Sequence, residues 1–509
     1  MLHSIQVLRR HRGRQAELPG GRGEASGSSC TGEHLHSRKA VEHYQFSLWL
    51  KTESPSEHII AYEVKLYIAV YRDRGRASGS KVMKASTSRR ADAARKVSRR
   101  EFCVTATIGG LAAVLTSPAS DAAPVAPAVQ SQWNRAKRLD AIILDAVNSG
   151  HIVGATVIAA KDGEIVYRHA AGFADREARR PMAENEVCRL ASMTKPIACV
   201  AALALIDDGR LGLEDPVTRW LPDFRPKVPD GREPVITVRH LLTHTAGLTY
   251  GFLEAEGGPY HQLGVSDGLD HSGLTLKENL RRIASAPLLF EPGTAWHYSV
   301  AIDVLGAVIE RVTGMRLPDA VQRIVMDPLG IASIRFVASA DTVLATPYGD
   351  ASPQPTRMTD PFSLGFGQSA IVYSPARAFD STAFPSGGVG MVGTAEDYLR
   401  FAEAIRSGGA GIIRPETVTA MTSNAIGDLP VGAAGPGFGW GLGVAVLRDP
   451  VAAKSPVSAG AWNWSGVYGP NFWVDPAAGI SVVALTNTAV AGMTGNFPMA
   501  LRHAVYQEA

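Results

Sequence analysis

The pattern of apolar and polar positions predicts regular structure along most of the chain after residue 130. Helical spacing of apolar residues predicts helices near 132–148, 302–312 and 493–506. A further apolar run continues to Ile206, which predicts a buried helix that begins at Ser192.

Short runs of residues with the length and pattern of β-strands lie near both ends of the chain after residue 130. Near its start, residues 153–157 and 165–169 predict two strands joined by a hairpin, because the Asp162-Gly163 pair between them favours a tight turn. Near its end, further strands are predicted at 440–447, 471–474 and 480–485.

Between these two sets of strands, from about residue 215 to 385, the chain is richer in proline, glycine and helical segments. Residues 129–509 are therefore predicted to form one α/β (more narrowly α+β) domain. In it, an antiparallel sheet completed by the two chain ends is flanked by helices, and a mostly helical subdomain at about 215–385 is inserted. A cleft between the sheet and the subdomain is the expected place for a pocket.

The N-terminal part of the chain has a different character. Residues 1–82 show no clear periodicity, so we expect a non-structured segment or an over-extended gene start, with Met83 as the true start. Residues 83–128 combine Arg99-Arg100, a short apolar stretch and an Ala/Ser/Pro-rich tail, which resembles a twin-arginine export signal. The leucine and lysine usual in that signal are absent, and the alternative is a disordered basic linker. The signal predicts an exported protein, periplasmic or secreted.

Composition and charge exclude some classes of function. Residues 1–128 hold 20 Lys and Arg against 11 Asp and Glu, so the net charge of +3 leaves the remaining chain mildly acidic. An acidic body argues against a nucleic-acid partner.

No apolar stretch reaches the roughly 18–20 residues that a membrane-spanning helix needs. Cys188 and Cys199 are expected to be buried thiols rather than a disulfide.

The most informative motif is Ser192-Met-Thr-Lys195. Residues three apart share one face of a helix, so Ser192 and Lys195 would point into the same space. A serine hydroxyl needs a base within hydrogen-bond reach to act as a nucleophile, and a helix N-terminus can stabilise an oxyanion. The same four residues also arise by chance, as a capping serine with a surface lysine.

Two later segments carry further candidate chemistry. Tyr298 lies between a turn and a predicted helix, and its phenol would be a useful base only beside a cation such as Lys195. The alternative is a buried tyrosine with a satisfied hydroxyl. Trp464-Ser465-Gly466 enters a strand, where a backbone N–H could supply a second oxyanion donor, or it is simply a hairpin turn.

The ordered combination of these motifs resembles the serine β-lactamase and penicillin-binding-protein superfamily over about residues 135–505. The residues that carry the resemblance are Ser192-Met-Thr-Lys195, His240-Leu-Leu-Thr-His-Thr-Ala-Gly-Leu248, Pro292-Gly-Thr-Ala-Trp-His-Tyr298-Ser, Ser386-Gly-Gly-Val-Gly-Met-Val-Gly-Thr394 and Trp464-Ser-Gly466. The resemblance implies a β-lactamase/transpeptidase-like fold and a transient acyl-enzyme.

The resemblance also implies roles for particular residues. Ser192 would be the nucleophile, and Lys195 and Tyr298 would share the proton transfers, with the formal base left open between them. The backbone N–H groups of Ser192 and Val467 would form the oxyanion hole. In this family the histidine at position 244 belongs to a structural segment, so it is not expected to be the base.

Two departures from the class C β-lactamases narrow the expected function. Those enzymes carry Tyr-x-Asn and a late Lys-Thr-Gly, whereas this chain has Val300 at the first place and Trp464-Ser465-Gly466 at the second. Trp464, Ser465 and Gly466 are expected to contact substrate. Both changes resemble the family VIII carboxylesterases and suit an apolar ester. We therefore expect a serine hydrolase that needs no cofactor or metal and cleaves esters with small to medium acyl groups.

Several alternatives stay open at this point. They are a β-lactamase, a D-amino-acid peptidase or amide hydrolase, an acyltransferase, and a penicillin sensor that acylates without turnover. An inactive relative is disfavoured, because Ser192, Lys195 and Tyr298 are all present. The sequence does not indicate the natural substrate or the oligomeric state.

Overall fold

The computed structural model describes residues 133–506 continuously and, before them, three strands. The chain divides into two units, residues 1–118 and 119–509. The first unit holds an antiparallel sheet in the order β1-β2-β3, with β1 at Val7–Leu8, β2 at Ala40–Thr52 and β3 at Ile60–Arg72.

The two longer strands of this sheet lie in the segment for which the sequence analysis finds no periodicity. Apolar and aromatic residues in fact recur at every second position of β2, a period typical of strands; they are Tyr44, Phe46, Leu48 and Leu50. Whether residues 1–82 come from an over-extended gene start stays a prediction. The predicted export signal lies outside the described residues.

Strands of the second unit follow in chain order. Their bounds are β4 (Gly154–Lys161), β5 (Glu164–Asp175), β6 (Arg180–Pro181), β7 (Cys188–Arg189), β8 (Tyr348–Gly349), β9 (Thr356–Arg357), β10 (Phe362–Phe366), β11 (Ser369–Tyr373), β12 (Val392–Gly393), β13 (Phe438–Trp440), β14 (Ala445–Leu447), β15 (Trp462–Ser465), β16 (Asn471–Asp475) and β17 (Ile480–Thr486).

Helices of this unit are α1 (Ala136–Asn148), α2 (Thr194–Asp207), α3 (Val238–Leu242), α4 (Pro259–Leu263), α5 (Leu276–Ser285), α6 (Ala301–Thr313), α7 (Leu317–Val321), α8 (Asp327–Leu329), α9 (Ala395–Arg406), α10 (Pro415–Met421) and α11 (Asn496–Tyr506). In the part of the chain that the structure describes, none of the helices is both long and apolar enough to cross a membrane.

The main sheet has eight strands in the order β13-β14-β15-β16-β17-β4-β5-β6. Strands from the two ends of the unit meet where β17 pairs antiparallel with β4, from Ile480 opposite Lys161 to Thr486 opposite Ala155. The predicted α+β class, with one sheet completed by both chain ends, is therefore confirmed.

The hairpin between β4 and β5 turns at the predicted pair. Asp162 and Gly163 both have positive φ, at 53° and 93°, which is the geometry of a two-residue hairpin turn. This turn places β5 beside β4, on the side of β4 that faces away from β17.

Helices cover both faces of the main sheet. On one face α1 and α11 pack through an apolar cluster that includes Leu139, Ile143, Val482 and Leu501. On the other face α9 packs against β17 and β4, and α2 lies in the larger core. All residues of α2 from Thr194 to Leu205 are buried, which explains why it is apolar on every side.

Two element predictions differ from the structure. The predicted strand at 440–447 is two strands, because the chain turns tightly between β13 and β14. At Gly443, where φ is +103°, a Cβ atom would lie 2.4 Å from Cys199 Sγ. The predicted helical stretch of 215–385 is helical up to Leu329, and β10 and β11 then form a hairpin around Gly367, where φ is +59°.

Candidate active site

The Ser192 segment is a tight turn that leads into a buried helix. A 3₁₀ turn at Ala191–Met193 continues directly into α2, so Ser192 lies just before the α-helix rather than at its first residue. Ala191 has φ of 45°, a left-handed conformation that is strained for a residue other than glycine. Such strain is typical of functional sites, where surrounding contacts hold an unfavourable geometry.

Backbone contacts fix this turn from two sides. The N–H of Leu190 donates to the carbonyl of Met391 at 2.9 Å, and the hydroxyl of Tyr398 donates to the carbonyl of Met193 at 2.9 Å. Ser192 itself is 4% exposed. Ser192 is therefore almost completely buried.

Lys195 lies one helical turn further on and is fully buried. Its Nζ donates three hydrogen bonds, to Ser192 Oγ at 3.3 Å, to Tyr250 Oη at 2.8 Å and to the carbonyl of Gly388 at 2.9 Å. An ammonium group has three N–H donors, so these bonds use all of them. The predicted pairing of Ser192 with Lys195 is present in the structure.

Burial lowers the pKa of Lys195 to about 7, although the nearby carboxylate of Asp303 opposes the shift. The charged amine is disfavoured in a buried site because it loses its hydration. At neutral pH a substantial fraction of Lys195 is therefore the neutral amine, which can accept a proton.

Tyr298 is brought to the same place from a loop before α6. Its hydroxyl accepts a hydrogen bond from Trp464 Nε1 at 3.0 Å. Lys195 Nζ lies 4.5 Å from the centre of the Tyr298 ring, over the face of the ring. Burial raises the pKa of Tyr298, while hydrogen bonds with Ser192 and Trp464 lower it in part. The phenol therefore stays protonated at neutral pH and can donate a proton.

Tyr250 is a site residue that the sequence analysis missed. Its ring stacks on Phe252 at a centroid distance of 4.7 Å and lies 5.3 Å from that of Tyr298. Asp267 accepts the N–H of Gly251 at 2.7 Å, which holds the loop in place. In the sequence, only its position two residues after the His240–Leu248 segment could have indicated that Tyr250 belongs to the site.

Asp303 and Gly388 were also missed. Asp303, on α6, is buried and accepts a hydrogen bond from Ser386 Oγ at 2.5 Å. A Cβ atom on Gly388 would lie 2.7 Å from Asp303 Oδ2 and 2.9 Å from Tyr250 Oη. The glycine therefore lets its carbonyl reach Lys195 between these two groups.

The turn after β15 packs on the Ser192 turn. A Cβ atom on Gly466 would lie 2.3 Å from the carbonyl oxygen of Leu190 and 3.1 Å from Ala191 Cβ. The next residue is Val467, whose carbonyl accepts a hydrogen bond from Tyr373 Oη at 3.1 Å. This close packing brings the segment that carries Val467 next to the Ser192 turn, and the role of the Val467 N–H as second oxyanion donor stays a prediction.

The three predicted substrate-binding residues have different surroundings. Trp464 is buried, with its ring centre 4.6 Å from that of Trp440, and it bonds Tyr298. Ser465 is half-buried in β15, opposite Asn471. Gly466 is a packing position against the Ser192 turn, as described above.

His244 is buried but engaged elsewhere. Its Nδ1 shares a hydrogen bond of 3.2 Å with Ser299 Oγ, and its ring centre lies 4.8 Å from that of Tyr298. Burial lowers its pKa well below the usual value, and the nearby Lys195 adds to the shift. A packing role beside Tyr298 agrees with the prediction that His244 is structural.

Comparisons with known proteins agree on one family. The sequence profile of the family described as Beta-lactamase matches residues 139–503. The chain is 50% identical to Esterase EstB of Burkholderia gladioli over 375 residues, which cover 73% of this chain and 95% of that protein.

Solved structures give the same result. EstCE1, described as a hydrolase with promiscuous acyltransferase activity, superposes with a TM-score of 0.71 at 45% identity, covering 73% of this chain and 98% of that one. An octameric penicillin-binding protein homologue from Pyrococcus abyssi has the same fold, with a TM-score of 0.55 at 20% identity, covering 72% and 76% of the two chains.

The fold and the family match define a serine hydrolase built on the β-lactamase and transpeptidase architecture. The chain belongs to the β-lactamase family. The predicted resemblance to this superfamily, and to its carboxylesterase branch, is thereby confirmed.

Proposed function

We propose that this protein is a carboxylesterase that works through an acyl-enzyme on Ser192. The observation that carries the proposal is the contact between Lys195 Nζ and Ser192 Oγ, which lie 3.3 Å apart. Lys195 is buried, and burial lowers its pKa to about 7. A base of this kind is matched to work near neutral pH. The similarity to Esterase EstB supports an ester as the substrate.

In the first half-reaction, neutral Lys195 accepts the proton of Ser192 Oγ as the oxygen attacks the ester carbonyl carbon. The N–H groups of Ser192 and Val467 stabilise the oxyanion. As the tetrahedral intermediate collapses, the carbon–oxygen bond to the alcohol breaks and Tyr298 donates a proton to the leaving oxygen. Lys195 then returns a proton to Tyr298, which leaves a neutral acyl-enzyme.

Water completes the reaction in the second half. It gives a proton to Lys195 while its oxygen attacks the acyl carbon, and the acid product leaves as Ser192 regains a proton. The assignment of Lys195 as base and Tyr298 as acid rests on the direction of their pKa shifts, lowered for the amine and raised for the phenol.

The substrate is an ester with an uncharged acyl group of small to medium size. Trp464 stands where β-lactamases present a cation, and its indole N–H is already bonded to Tyr298. Val300, where those enzymes present an amide, is buried and apolar. Each methylene that the pocket buries contributes roughly 0.8 kcal/mol, so the rate should rise with acyl length until the pocket is full.

Acyl transfer to an alcohol or amine is the second candidate activity. Its support is the similarity to EstCE1, described as a hydrolase with promiscuous acyltransferase activity. The same acyl-enzyme serves both outcomes, because either water or another nucleophile can attack it.

The test is kcat/KM over p-nitrophenyl acetate, butyrate, hexanoate and decanoate, measured beside nitrocefin. We expect the best substrate among the esters and a decline at the longest acyl group, with no hydrolysis by Ser192→Ala. Nitrocefin as the best substrate would establish a β-lactamase instead. A burst on nitrocefin without turnover, together with inert esters, would establish a penicillin sensor.

We further propose that residues 83–128 direct export by the twin-arginine route. Support comes from Arg99-Arg100 and the short apolar stretch that follows. Changing both arginines to lysine should abolish accumulation of active enzyme in the periplasm. An unchanged periplasmic yield would refute the assignment.

A further inference from the structure

A small cavity of about 40 Å³ lies next to the catalytic loop without including Ser192 or Lys195 in its walls. Its walls include three arginines, three aromatic rings and part of the segment that carries Gly388. Of the arginines, Arg316 is exposed, whereas Arg189 and Arg377 lie beside Tyr468, Phe384, Ser386 and Val389 on the cavity wall. A space of this size holds one or a few particles as large as a water molecule.

Arg189 is 9% exposed and lies three residues before Ser192. Its guanidinium donates to the carbonyl of Ala345 at 3.0 Å and to that of Pro375 at 2.6 Å. The same group lies 5.6 Å from the centre of the Tyr468 ring. These bonds use Nη1 and Nη2, whereas the remaining nitrogen, Nε, is buried without a hydrogen-bond partner.

Arg377 lies on the 3₁₀ turn Pro375–Phe379, on the wall of the same cavity. It donates to the carbonyl of Asp270 at 2.9 Å and to that of Phe384 at 2.6 Å. Its guanidinium lies 4.5 Å from the centre of the Phe384 ring. All of its hydrogen bonds therefore go to neutral acceptors.

Within residues 133–506, no carboxylate forms an ion pair with Arg189 or Arg377. A guanidinium cannot release its proton in a protein, so both charges persist. Buried charges are normally paired, because burial removes their hydration. Two of the arginines that line the cavity, Arg189 and Arg377, thus lack a direct counter-charge.

The acidic residues nearby are already engaged. Asp380, on the cavity wall, is bonded to His271 Nε2 at 2.7 Å and to Thr382. Asp303 accepts from Ser386, and Asp360 accepts from Ser374 at 2.8 Å. These carboxylates stabilise the charged guanidiniums only by longer-range Coulombic attraction, without a direct ion pair.

We propose that this cavity binds one small monovalent anion, of the size of chloride, against the guanidiniums of Arg189 and Arg377. A space that holds one or a few water-sized particles can take a single halide ion. The unpartnered Nε of Arg189 supplies a donor for the ion.

The location gives the anion a function. Arg189 leads into the Ser192 turn, and Ser386 and Val389 flank Gly388, whose carbonyl bonds Lys195. An ion held here joins the two segments that position Ser192 and Lys195. It should therefore stabilise the fold and hold both segments in place.

Crystals of the full chain grown in sodium gluconate and soaked in sodium bromide test the proposal directly. We expect an anomalous bromide peak in this cavity within hydrogen-bond distance of Arg189 Nε. A cavity that contains water alone would overturn the proposal. Bromide peaks confined to the protein surface mean an adventitious ion only and would overturn it equally.

Thermal unfolding supplies a second measurement on the full chain. At constant ionic strength, replacing gluconate by chloride should raise the Tm saturably, by about 2 °C. Arg377→Met should abolish this chloride dependence, whereas the control Arg400→Met, at an exposed position, should retain it. Equal Tm values in both salts for the wild type would contradict the proposal. If Arg377→Met does not fold, the bromide experiment on the wild type decides alone.

Discussion

Lys195 Nζ lies 2.8 Å from the hydroxyl oxygen of Tyr250, closer than the 3.3 Å that separates it from Ser192 Oγ. Tyr250 is thus the nearest polar side chain to the proposed base. Burial raises the pKa of Tyr250 well above its usual value, so its hydroxyl remains neutral. A neutral acceptor can orient the amine without fixing it in the charged form.

The first prediction concerns this positioning role of Tyr250. Tyr250→Phe should lower kcat about 10–100-fold with little change in KM, because the amine loses the contact that orients it toward Ser192. The acid limb of the pH profile should also move to lower pH, since the ammonium form loses a hydrogen-bond acceptor. The measurement is kcat and KM for p-nitrophenyl butyrate across pH.

A matched control for this variant is Tyr167→Phe, whose hydroxyl bonds Asp140 at 2.7 Å on the α1 side of the sheet. It removes a buried hydroxyl of the same kind and should leave kcat unchanged. A Tyr250→Phe enzyme with wild-type kcat and pH profile would show that Tyr250 only packs.

The second prediction concerns pH. Lys195 acts as a base only when neutral, so kcat/KM should fall as the pH drops below its pKa of about 7. The carboxylate of Asp303 raises the pKa of Lys195, so Asp303→Asn should lower that pKa further. The acid limb should therefore shift to lower pH.

Asp341→Asn, at an exposed position, is the control for the loss of one negative charge. Its acid limb should coincide with that of the wild type. A shift of the Asp303→Asn limb to higher pH would contradict the assignment of Lys195 as the base.

The third prediction concerns Gly388. Gly388→Ala should destabilise the protein by about 1–3 kcal/mol and abolish most activity, because its Cβ would lie 2.7 Å from Asp303 Oδ2. Gly365→Ala is the matched control, since its Cβ would meet nothing within 4 Å. Urea unfolding and ester hydrolysis measure both effects. Equal free energies of unfolding for the two variants would show that the backbone around Gly388 shifts to accommodate the Cβ atom without loss of stability.

The fourth prediction treats Lys195 and Tyr298 as one coupled unit. Lys195→Ala and Tyr298→Phe should each reduce kcat by about 10³–10⁴-fold, and the double variant should lose little more. The double-mutant cycle is measured on one ester under saturating conditions. Losses that add fully on a logarithmic scale would argue for two independent roles.

Local spacing explains why part of the site could be predicted. Ser192 and Lys195 are three residues apart on one helical turn, so the sequence alone places them together. The Asp162-Gly163 hairpin is predictable for the same reason, because two residues determine its geometry. The family motifs added Tyr298 and the turn at Trp464.

The rest of the site depends on tertiary packing. Tyr250, Asp303 and Gly388 meet around Lys195 from three separate segments. Tyr250 and Asp303 are ordinary residues in their own stretches of sequence, and the Ser386–Thr394 motif that contains Gly388 does not indicate that its carbonyl contacts Lys195. The single strand predicted at 440–447 failed for a similar reason. The chain turns at Gly443, where φ is +103°, and Cys199, far away in the sequence, fills the space that a side chain there would need.

The central claim is that Ser192 carries the acyl group. Intact-mass analysis of the full chain after reaction with a fluorophosphonate, followed by peptide mapping, tests it most directly. We expect a single adduct on Ser192, no adduct on Ser192→Ala, and a near-UV circular dichroism spectrum of that variant equal to that of the wild type. An adduct on any other residue, or ester hydrolysis that persists in Ser192→Ala, would contradict it.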